Sequence, residues 1–202
     1  MLVVVGGHSR NIGKTSVITG LIRRLRRWNW TAIKITQFGH GVCSEQGESC
    51  QCSTGLDHPY ALDEEFEPSR TDSGRFLGAG ALRSFWLRTA SGQLENARPV
   101  LDRILAASQN TIIESNSILE FFQPDLYLVV LDFAREDFKA STLRFLDRAD
   151  AFLVIDRGIN APLWDAVSQE LYQGKRRFAL RPPQYMNAEL WAFVEETLSR
   201  GF

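Results

Sequence analysis

Short apolar runs rich in β-branched residues alternate along the chain with longer segments of helical periodicity. The short runs predict β-strands, and the longer segments predict amphipathic helices. Because strands and helices alternate, the sequence predicts crossover units and a mainly parallel sheet. The predicted strands are Leu2–Val5, Thr31–Thr36, Leu82–Thr89, Thr111–Ser115, Asp125–Asp132, Ala151–Asp156 and Arg176–Arg181.

Helical periodicity covers most of the segments between these strands. The predicted helices span residues 13–28, 92–107, 137–148, 162–172 and 188–198, and a short helix begins near Thr71 or Asp72. This order of elements predicts an α/β fold, a three-layer α/β/α sandwich with a mainly parallel sheet. A chain of 202 residues suits one such domain, so residues 1–202 are predicted to form a single domain.

The alternation stops between residues 37 and 69. This stretch is rich in Gly, Ser, Cys, Pro and acidic residues, and it has no sustained period of either kind. A connection of this length inside a compact domain is usually functional or disordered. We therefore predict an insertion after the second strand.

The charge and the apolar pattern limit the range of partners. A formal net charge of -1 gives no general attraction to nucleic acid or to an anionic membrane. No apolar stretch approaches the roughly 20 residues that a membrane-spanning helix needs, and no basic leader precedes the first apolar run. We predict a cytoplasmic protein that binds neither nucleic acid nor a membrane.

The segment GGHSRNIGKT carries the strongest chemical signal. It joins the first predicted strand to the first predicted helix, and it ends in Gly13, Lys14 and Thr15. Amides at such a helix start, with a macrodipole of roughly +0.5 charge, bind phosphate. The pattern predicts that Lys14 reaches the β- and γ-phosphate oxygens of a nucleoside triphosphate and that Thr15 ligates Mg²⁺.

The spacing of this loop differs from the usual G-x-x-x-x-G-K-[ST] pattern by one residue, because His8 stands where the first glycine is expected. An ordinary strand-to-helix turn is the alternative interpretation. His8 and Arg10 lie inside the loop, where their side chains contact phosphate or point to solvent. The predicted nucleotide-binding residues are Gly7, His8, Arg10, Asn11, Ile12, Gly13, Lys14, Thr15 and Ser16.

The longer loop resembles that of dethiobiotin synthetases and cobyrinic-acid amide synthetases, which are P-loop NTPases of the SIMIBI class. The body of the chain resembles another family of this class, the molybdopterin-guanine dinucleotide biosynthesis protein B family. The similar segments are AIKITQFGH, TDSGRFLGAGA and TIIES. Two departures are the extra loop residue and the sequence ESN, where that family has Gly after its Glu.

The resemblance implies roles for three charged residues outside the loop, which join Lys14 as candidate catalytic residues. Glu114 would position Mg²⁺ or an attacking group from the carboxyl end of its strand, where ligands of parallel sheets bind. Asp72 would help to hold the metal or its waters, and Lys34 would face the γ-phosphate or an anionic substrate. The alternatives are a helix N-cap for Asp72 and a solvated strand end for Lys34.

The predicted insertion contains all three cysteines and two of the three histidines. A Cys₃His shell is a common structural zinc site, so the three cysteines with one of these histidines are candidate Zn²⁺ ligands. The C-x₆-C-x-C spacing is unlike paired C-x₂-C knuckles, and it also allows an iron–sulfur cluster, a redox pair or free thiols. The candidate metal ligands are His40, Cys43, Cys50, Cys52 and His58.

Together these features predict Mg²⁺-dependent binding of ATP or GTP. Hydrolysis or phosphoryl transfer would follow, in or beside a molybdopterin-type cofactor biosynthesis pathway. The resemblance also implies a second class, a non-catalytic adaptor that binds nucleotide, serves a partner enzyme and forms a homodimer. A third class is a metal-handling protein gated by nucleotide. No N-K-x-D stretch selects guanine, and VIDRGIN and RPPQYMN follow the last two strands, where either segment could border a base.

Overall fold

A single eight-stranded sheet forms the middle layer of this computed structural model, which describes residues 1–38, 58–159, 161–164, 167–185 and 187–200. Its strands are β1 Leu2–Gly7, β2 Trp30–Phe38, β3 Tyr60–Glu65, β4 Arg83–Ala90, β5 Asn110–Glu114, β6 Leu126–Leu131, β7 Ala151–Ile155 and β8 Arg176–Leu180. Their order across the sheet is β3-β4-β2-β5-β1-β6-β7-β8. Strands β3 and β4 pair antiparallel, and the other neighbours pair parallel.

Helices cover both faces of the sheet. On one face the core includes residues of α1 (Lys14–Arg24), α2 (Asp72–Ala79) and α5 (Ala188–Arg200). On the other face it includes residues of α3 (Arg98–Ala106) and α4 (Ala140–Phe145). The result is the predicted three-layer sandwich. None of the helices in the described ranges is long and apolar enough to cross a membrane.

The strands contribute to both cores because successive side chains of a strand point to opposite faces. Val3 and Val5 of β1 belong to the core beside α1, whereas Leu2 and Val4 belong to the core beside α3. Strands β1 and β6 are buried along their whole length. This burial on two faces explains why these strands appear in the sequence as unbroken apolar runs.

The register of the central strands brings two charged residues together at the carboxyl edge of the sheet. Glu114 of β5 pairs with Lys34 of β2 and with Val5 of β1. Ala32 and Ile112, two positions earlier on β2 and β5, lie in the core beside α1. Lys34 and Glu114 therefore point to the same face, at the place where that core ends.

The predicted insertion at residues 37–69 contains regular structure at both ends. Strand β2 continues to Phe38, and β3 forms the edge of the sheet. Cross-strand ion pairs join β3 to β4, between Glu64 and Arg83 at 2.7 Å and between Asp63 and Arg88. Acidic residues are uncommon in strands, so the sequence does not predict β3, and the partners of Asp63 and Glu64 are supplied by β4. Residues 39–57 lie outside the described residues.

The prediction of a helix over residues 162–172 is wrong for the described part of that range. That part contains the short 3₁₀ helix Gln169–Leu171. Trp164 packs edge-on against three aromatic rings, with centroid distances of 5.4 Å to Phe133, 4.7 Å to Phe138 and 5.6 Å to Tyr172. These tertiary contacts stabilise an irregular path that helical periodicity does not predict. Residues 165 and 166 lie outside the described residues.

The helices predicted over residues 13–28, 92–107 and 137–148 each combine an α-helix with a 3₁₀ turn. The turns are Arg26–Trp28, Leu94–Ala97 and Leu146–Arg148. At the end of α1 the indole of Trp30 donates a hydrogen bond to the Leu25 carbonyl at 2.9 Å. The same carbonyl accepts a hydrogen bond from the Trp28 amide at 3.1 Å, so two donors bind it at the step from the α-helix to the 3₁₀ turn.

A buried amide fixes the end of β1 to its neighbours. The Asn116 side chain accepts a hydrogen bond from Gly7 N at 2.9 Å and donates to Gly7 O at 3.0 Å and to Thr142 Oγ1 at 2.7 Å. The Thr142 hydroxyl donates to Gly7 O at 2.9 Å, and the Tyr127 hydroxyl donates to Asn116 Oδ1 at 3.3 Å. A Cβ on Gly6 would lie 2.0 Å from Asn116 Oδ1, so this approach requires glycine.

We expect Asn116→Ala to lower the free energy of unfolding by about 2 kcal/mol, because it leaves the buried peptide groups of Gly7 with fewer partners. Urea unfolding followed by circular dichroism measures this change. The control is Asn96→Ala, since Asn96 is exposed and its amide bonds to neighbouring Gln93. A loss of equal size in both variants would contradict the role given to Asn116.

Candidate functional site

The carboxyl edge of the sheet opens into a cleft of about 900 Å³. The cleft lies between the loop that joins β1 to α1, the carboxyl ends of β2 and β5, and the starts of α2 and α4. We call residues 6–15 the phosphate loop. The predicted site residues that line the cleft are Arg10, Asn11, Ile12, Gly13, Lys14, Thr15, Ser16, Lys34, Asp72 and Glu114.

The phosphate loop turns sharply before α1. Asn11 and Gly13 have φ values of 52° and 89°, in the left-handed region. A Cβ on Gly13 would also lie 2.2 Å from the ring of Tyr185, so that ring lies across the loop. Helix α1 begins with no side chain capping its amides. The first-turn amides, at a helix start that lines the cleft, are therefore available to an anion.

The Lys14 side chain folds over the phosphate loop. Its ammonium donates a hydrogen bond to Ser9 O at 3.0 Å. Burial lowers the pKa of Lys14, although Glu114 opposes the shift. A phosphate group beside this ammonium would favour its charged form. Lys14 thus lies where the loop pattern predicts a phosphate contact.

Glu114 is the centre of a polar cluster. Its carboxylate is buried and accepts hydrogen bonds from Thr15 Oγ1 at 2.8 Å and from Lys34 Nζ at 2.6 Å. Lys34 Nζ also lies 2.6 Å from Asp72 Oδ2. One ammonium therefore links the carboxylate at the end of β5 to the carboxylate at the start of α2.

The charges of this cluster stabilise one another. Burial lowers the pKa of Lys34, but the carboxylates of Glu114 and Asp72 more than offset this effect and hold the pKa above its ordinary value. Burial raises the pKa of Asp72, but Lys34 and Thr15 outweigh it and lower the pKa. Lys34 and Asp72 are thus favoured in their ionised forms at neutral pH.

The structure contradicts both alternative interpretations, a solvated strand end for Lys34 and a helix N-cap for Asp72. Only 19% of the Lys34 side chain is exposed, so it is not a solvated strand end. The N-cap of α2 is Thr71, whose hydroxyl accepts a hydrogen bond from Gly74 N at 3.0 Å. Asp72 is the first residue of the helix, and its carboxylate pairs with Lys34.

The oxygen atoms of this cluster suit Mg²⁺, which prefers hard oxygen ligands. Thr15 Oγ1 and Glu114 Oε2 lie 2.8 Å apart at the start of α1, and Lys34 holds Asp72 beside them. This donor set fits a Mg²⁺ ion next to a phosphate, with Thr15 and Glu114 as the candidate protein ligands.

Two predicted phosphate contacts do not line the cleft in the described structure. The main-chain amide and carbonyl of Gly7 both form hydrogen bonds with the Asn116 side chain. The His8 ring lies in the core, 4.6 Å from the Phe138 ring, and burial lowers its pKa. The His8 amide and carbonyl bond to Val130 O and Lys139 N. His8 therefore supports the phosphate loop from the core side.

The predicted metal site of residues 40–58, which we call the cysteine segment, falls mostly outside the described residues. Its members His40, Cys43, Cys50 and Cys52 all lie in residues 39–57, and His58 is exposed. Within the ranges described, no group of three or more His, Cys, Asp or Glu side chains is arranged to hold a metal ion. Metal binding by these residues stays a prediction.

The predicted site misses several cleft residues, among them Asn116, Lys139 and Tyr185. Asn116 follows β5, Lys139 precedes α4, and Tyr185 lies between β8 and α5. The only sequence signal for Asn116 is that ESN differs from the protein B family, which has Gly after its Glu. Tyr185 lies in RPPQYMN, one of the two segments predicted to border a base. No spacing rule connects Lys139 to a loop so much earlier in the chain.

Comparison with solved structures identifies the fold. The chain is similar to the crystal structure of HypB from Helicobacter pylori in complex with nickel, with a TM-score of 0.52 and 15% sequence identity over 99% of this chain and 88% of that chain. The sequence matches no known family model and no curated protein. The likeness confirms the predicted α/β architecture: the chain has the P-loop NTPase fold.

Proposed function

We propose that this protein binds ATP or GTP together with Mg²⁺ and hydrolyses it or transfers its terminal phosphoryl group. The arrangement around the phosphate loop carries this proposal. Lys14 and Thr15 open α1 with uncapped amides, and Thr15 bonds to the buried carboxylate of Glu114. Phosphoryl transfer needs little covalent chemistry from the protein, so positioned charges of this kind supply most of the catalysis.

The chain's own groups would neutralise the phosphates. The amides of the first turn of α1 would bind phosphate oxygens, and Lys14 would exchange the Ser9 carbonyl for the β- and γ-phosphate oxygens. Arg10 lines the cleft and would add a guanidinium contact. Lys34 would face the γ-phosphate or an anionic substrate while it remains paired with Glu114.

Thr15 and Glu114 would hold Mg²⁺, with Asp72 beside the metal or its waters. When bound, the metal neutralises charge on the β- and γ-phosphates. During transfer, the bond between the γ-phosphorus and the β–γ bridging oxygen breaks as an acceptor oxygen bonds to that phosphorus. The acceptor is water or a carboxylate, and the dethiobiotin-synthetase-like loop favours the carboxylate.

The proposed setting is a molybdopterin-type cofactor pathway, which rests on the resemblance to the protein B family. In this setting the protein serves a partner enzyme and forms a homodimer. An adaptor that binds nucleotide without turnover is the alternative, and phosphate release distinguishes it from an NTPase.

We expect Lys14→Ala to weaken binding of ATP or GTP by about 100-fold, because it removes a charge-assisted contact to phosphate. Calorimetric titration in the presence of Mg²⁺ measures the affinity. The control is Lys175→Ala, since Lys175 precedes β8 at the opposite edge of the sheet and bonds to main-chain carbonyls. Unchanged affinity in Lys14→Ala would contradict the proposed phosphate site.

We expect Glu114→Gln to reduce phosphate release by about 100-fold or more, because the variant keeps the shape of the side chain but loses its charge. Nucleotide binding should change much less. The matched control is Glu120→Gln, which alters an exposed glutamate paired with Arg144. If the parent protein binds nucleotide saturably but releases phosphate only at the background rate, the adaptor is the correct interpretation.

A second candidate function is nucleotide-gated metal handling. The similar HypB structure is a nickel complex. In this chain the cysteine segment follows β2, whose residues Thr36 and Gln37 line the cleft. Thiolates and imidazoles bind Zn²⁺ and Ni²⁺ well. In the sequence, these candidate metal ligands follow closely after a strand whose end lines the nucleotide cleft.

Metal handling predicts that the parent protein binds Zn²⁺ or Ni²⁺ and that nucleotide changes the metal affinity.

We expect the double variant Cys50→Ser, Cys52→Ser to lose the bound metal, because a hydroxyl is a much weaker ligand than a thiolate for these ions. Elemental analysis of the purified proteins measures the metal content. The single variants His40→Ala and His58→Ala identify the fourth ligand. Full metal content in the double variant would rule out the cysteine site.

A further inference from the structure

The start of α4 is attached to the phosphate loop by hydrogen bonds. The main-chain amide of Lys139, the residue before α4, donates to His8 O at 2.8 Å. Thr142 donates to Gly7 O at 2.9 Å. Just before α4, Asp137 Oδ2 accepts a hydrogen bond from Ser9 Oγ at 2.7 Å. The position of α4 relative to the loop is therefore closely determined.

This attachment places the side chain of Lys139 in the cleft. It is half-buried and lines the same space as Lys14, Lys34 and Glu114. The ammonium of Lys34 pairs with two carboxylates, and that of Lys14 with a carbonyl. Lys139 forms no ion pair with a carboxylate of the described residues. A half-buried ammonium in this situation gains much from a ligand that supplies the opposite charge.

The charged groups around Lys139 come from three elements. Lys14 and Arg10 belong to the phosphate loop, Lys34 to β2 and Glu114 to β5. Burial lowers the pKa of Lys139 to about 7, and the three cations act in the same direction while Glu114 opposes them. Cations outnumber carboxylates at this end of the cleft, so a polyanion would relieve their repulsion.

We propose that Lys139 is a third cationic contact for the terminal phosphate of a bound triphosphate, supplied by the start of α4. The inference rests on the proposed function, which assigns Lys14 and Lys34 to the γ-phosphate. Lys14, Lys34 and Lys139 come from the loop, β2 and the start of α4, so they would surround that phosphate from three sides. A diphosphate lacks this group, and Lys139 would therefore favour triphosphates over diphosphates.

Calorimetric titration of the full chain tests this role. The probes are non-hydrolysable ATP and GTP analogues, ADP and GDP, each with Mg²⁺. Lys139→Met keeps most of the side-chain length without the charge, and Lys139→Arg keeps the charge. We expect Lys139→Met to weaken triphosphate binding about 10-fold and diphosphate binding less than about 2-fold. Lys139→Arg should bind triphosphate within about 3-fold of the parent protein.

Proton uptake gives a second readout, which a purely structural role would not change. At pH 8 Lys139 is mostly neutral in the free protein, and a neighbouring phosphate would favour its protonated form. Triphosphate binding should therefore take up protons from the buffer, and titrations in buffers of different ionisation enthalpy count them. Lys139→Arg binds without this uptake because its guanidinium is already charged. If Lys139→Met does not fold, the proton uptake of Lys139→Arg still tests the role of Lys139.

Two results would overturn the role of Lys139 while leaving the proposed function intact. One is an equal loss of affinity for triphosphates and diphosphates in Lys139→Met. The other is proton uptake by Lys139→Arg that equals that of the parent protein. Failure of the parent protein to bind any of the four nucleotides overturns both the role of Lys139 and the proposed function.

Discussion

The buried carboxylate of Glu114 is the group on which the arrangement of the site depends. It is 3% exposed, and it accepts hydrogen bonds from Thr15 in α1 and Lys34 in β2. Removing one partner from a buried ion pair typically costs about 3–5 kcal/mol, so the surrounding elements are held in place by a strong constraint. Through Lys34 the same constraint reaches Asp72 and the start of α2. The candidate catalytic groups are therefore positioned by one another.

A second set of contacts supports the phosphate loop from the core side. Asn116 and Thr142 bond to the peptide groups of Gly7, and the His8 ring packs against Phe138. Hydrogen bonds thus occupy the main-chain groups of Gly7 and His8 at the start of the loop, whereas the uncapped amides at its end are available to a ligand. A site held in this way loses little conformational freedom on binding, which favours affinity. The same contacts place Lys139 beside the loop.

The fold does not by itself specify a reaction, since one fold supports many functions. Phosphoryl chemistry is proposed because uncapped helix amides, Lys14, Thr15 and Glu114 meet at one point of the cleft. The metal-handling candidate concerns a separate segment, which follows β2. The two proposals use different residues, and the end of β2, which lines the nucleotide cleft, leads in the sequence to the cysteine segment.

The sequence by itself determined the features that depend on neighbouring residues. These are the alternation of strands and helices, the phosphate loop, and the position of Glu114 at the end of a buried strand. Strand β3 and the irregular path around Trp164 were decided by partners far away in the chain, which local periodicity does not encode. Lys139 joins the site for the same reason: β6 lies next to β1 in the sheet, so the segment after β6 returns to the phosphate loop. Only the tertiary structure brings such residues together, because strand order, and not distance along the chain, determines which loops meet.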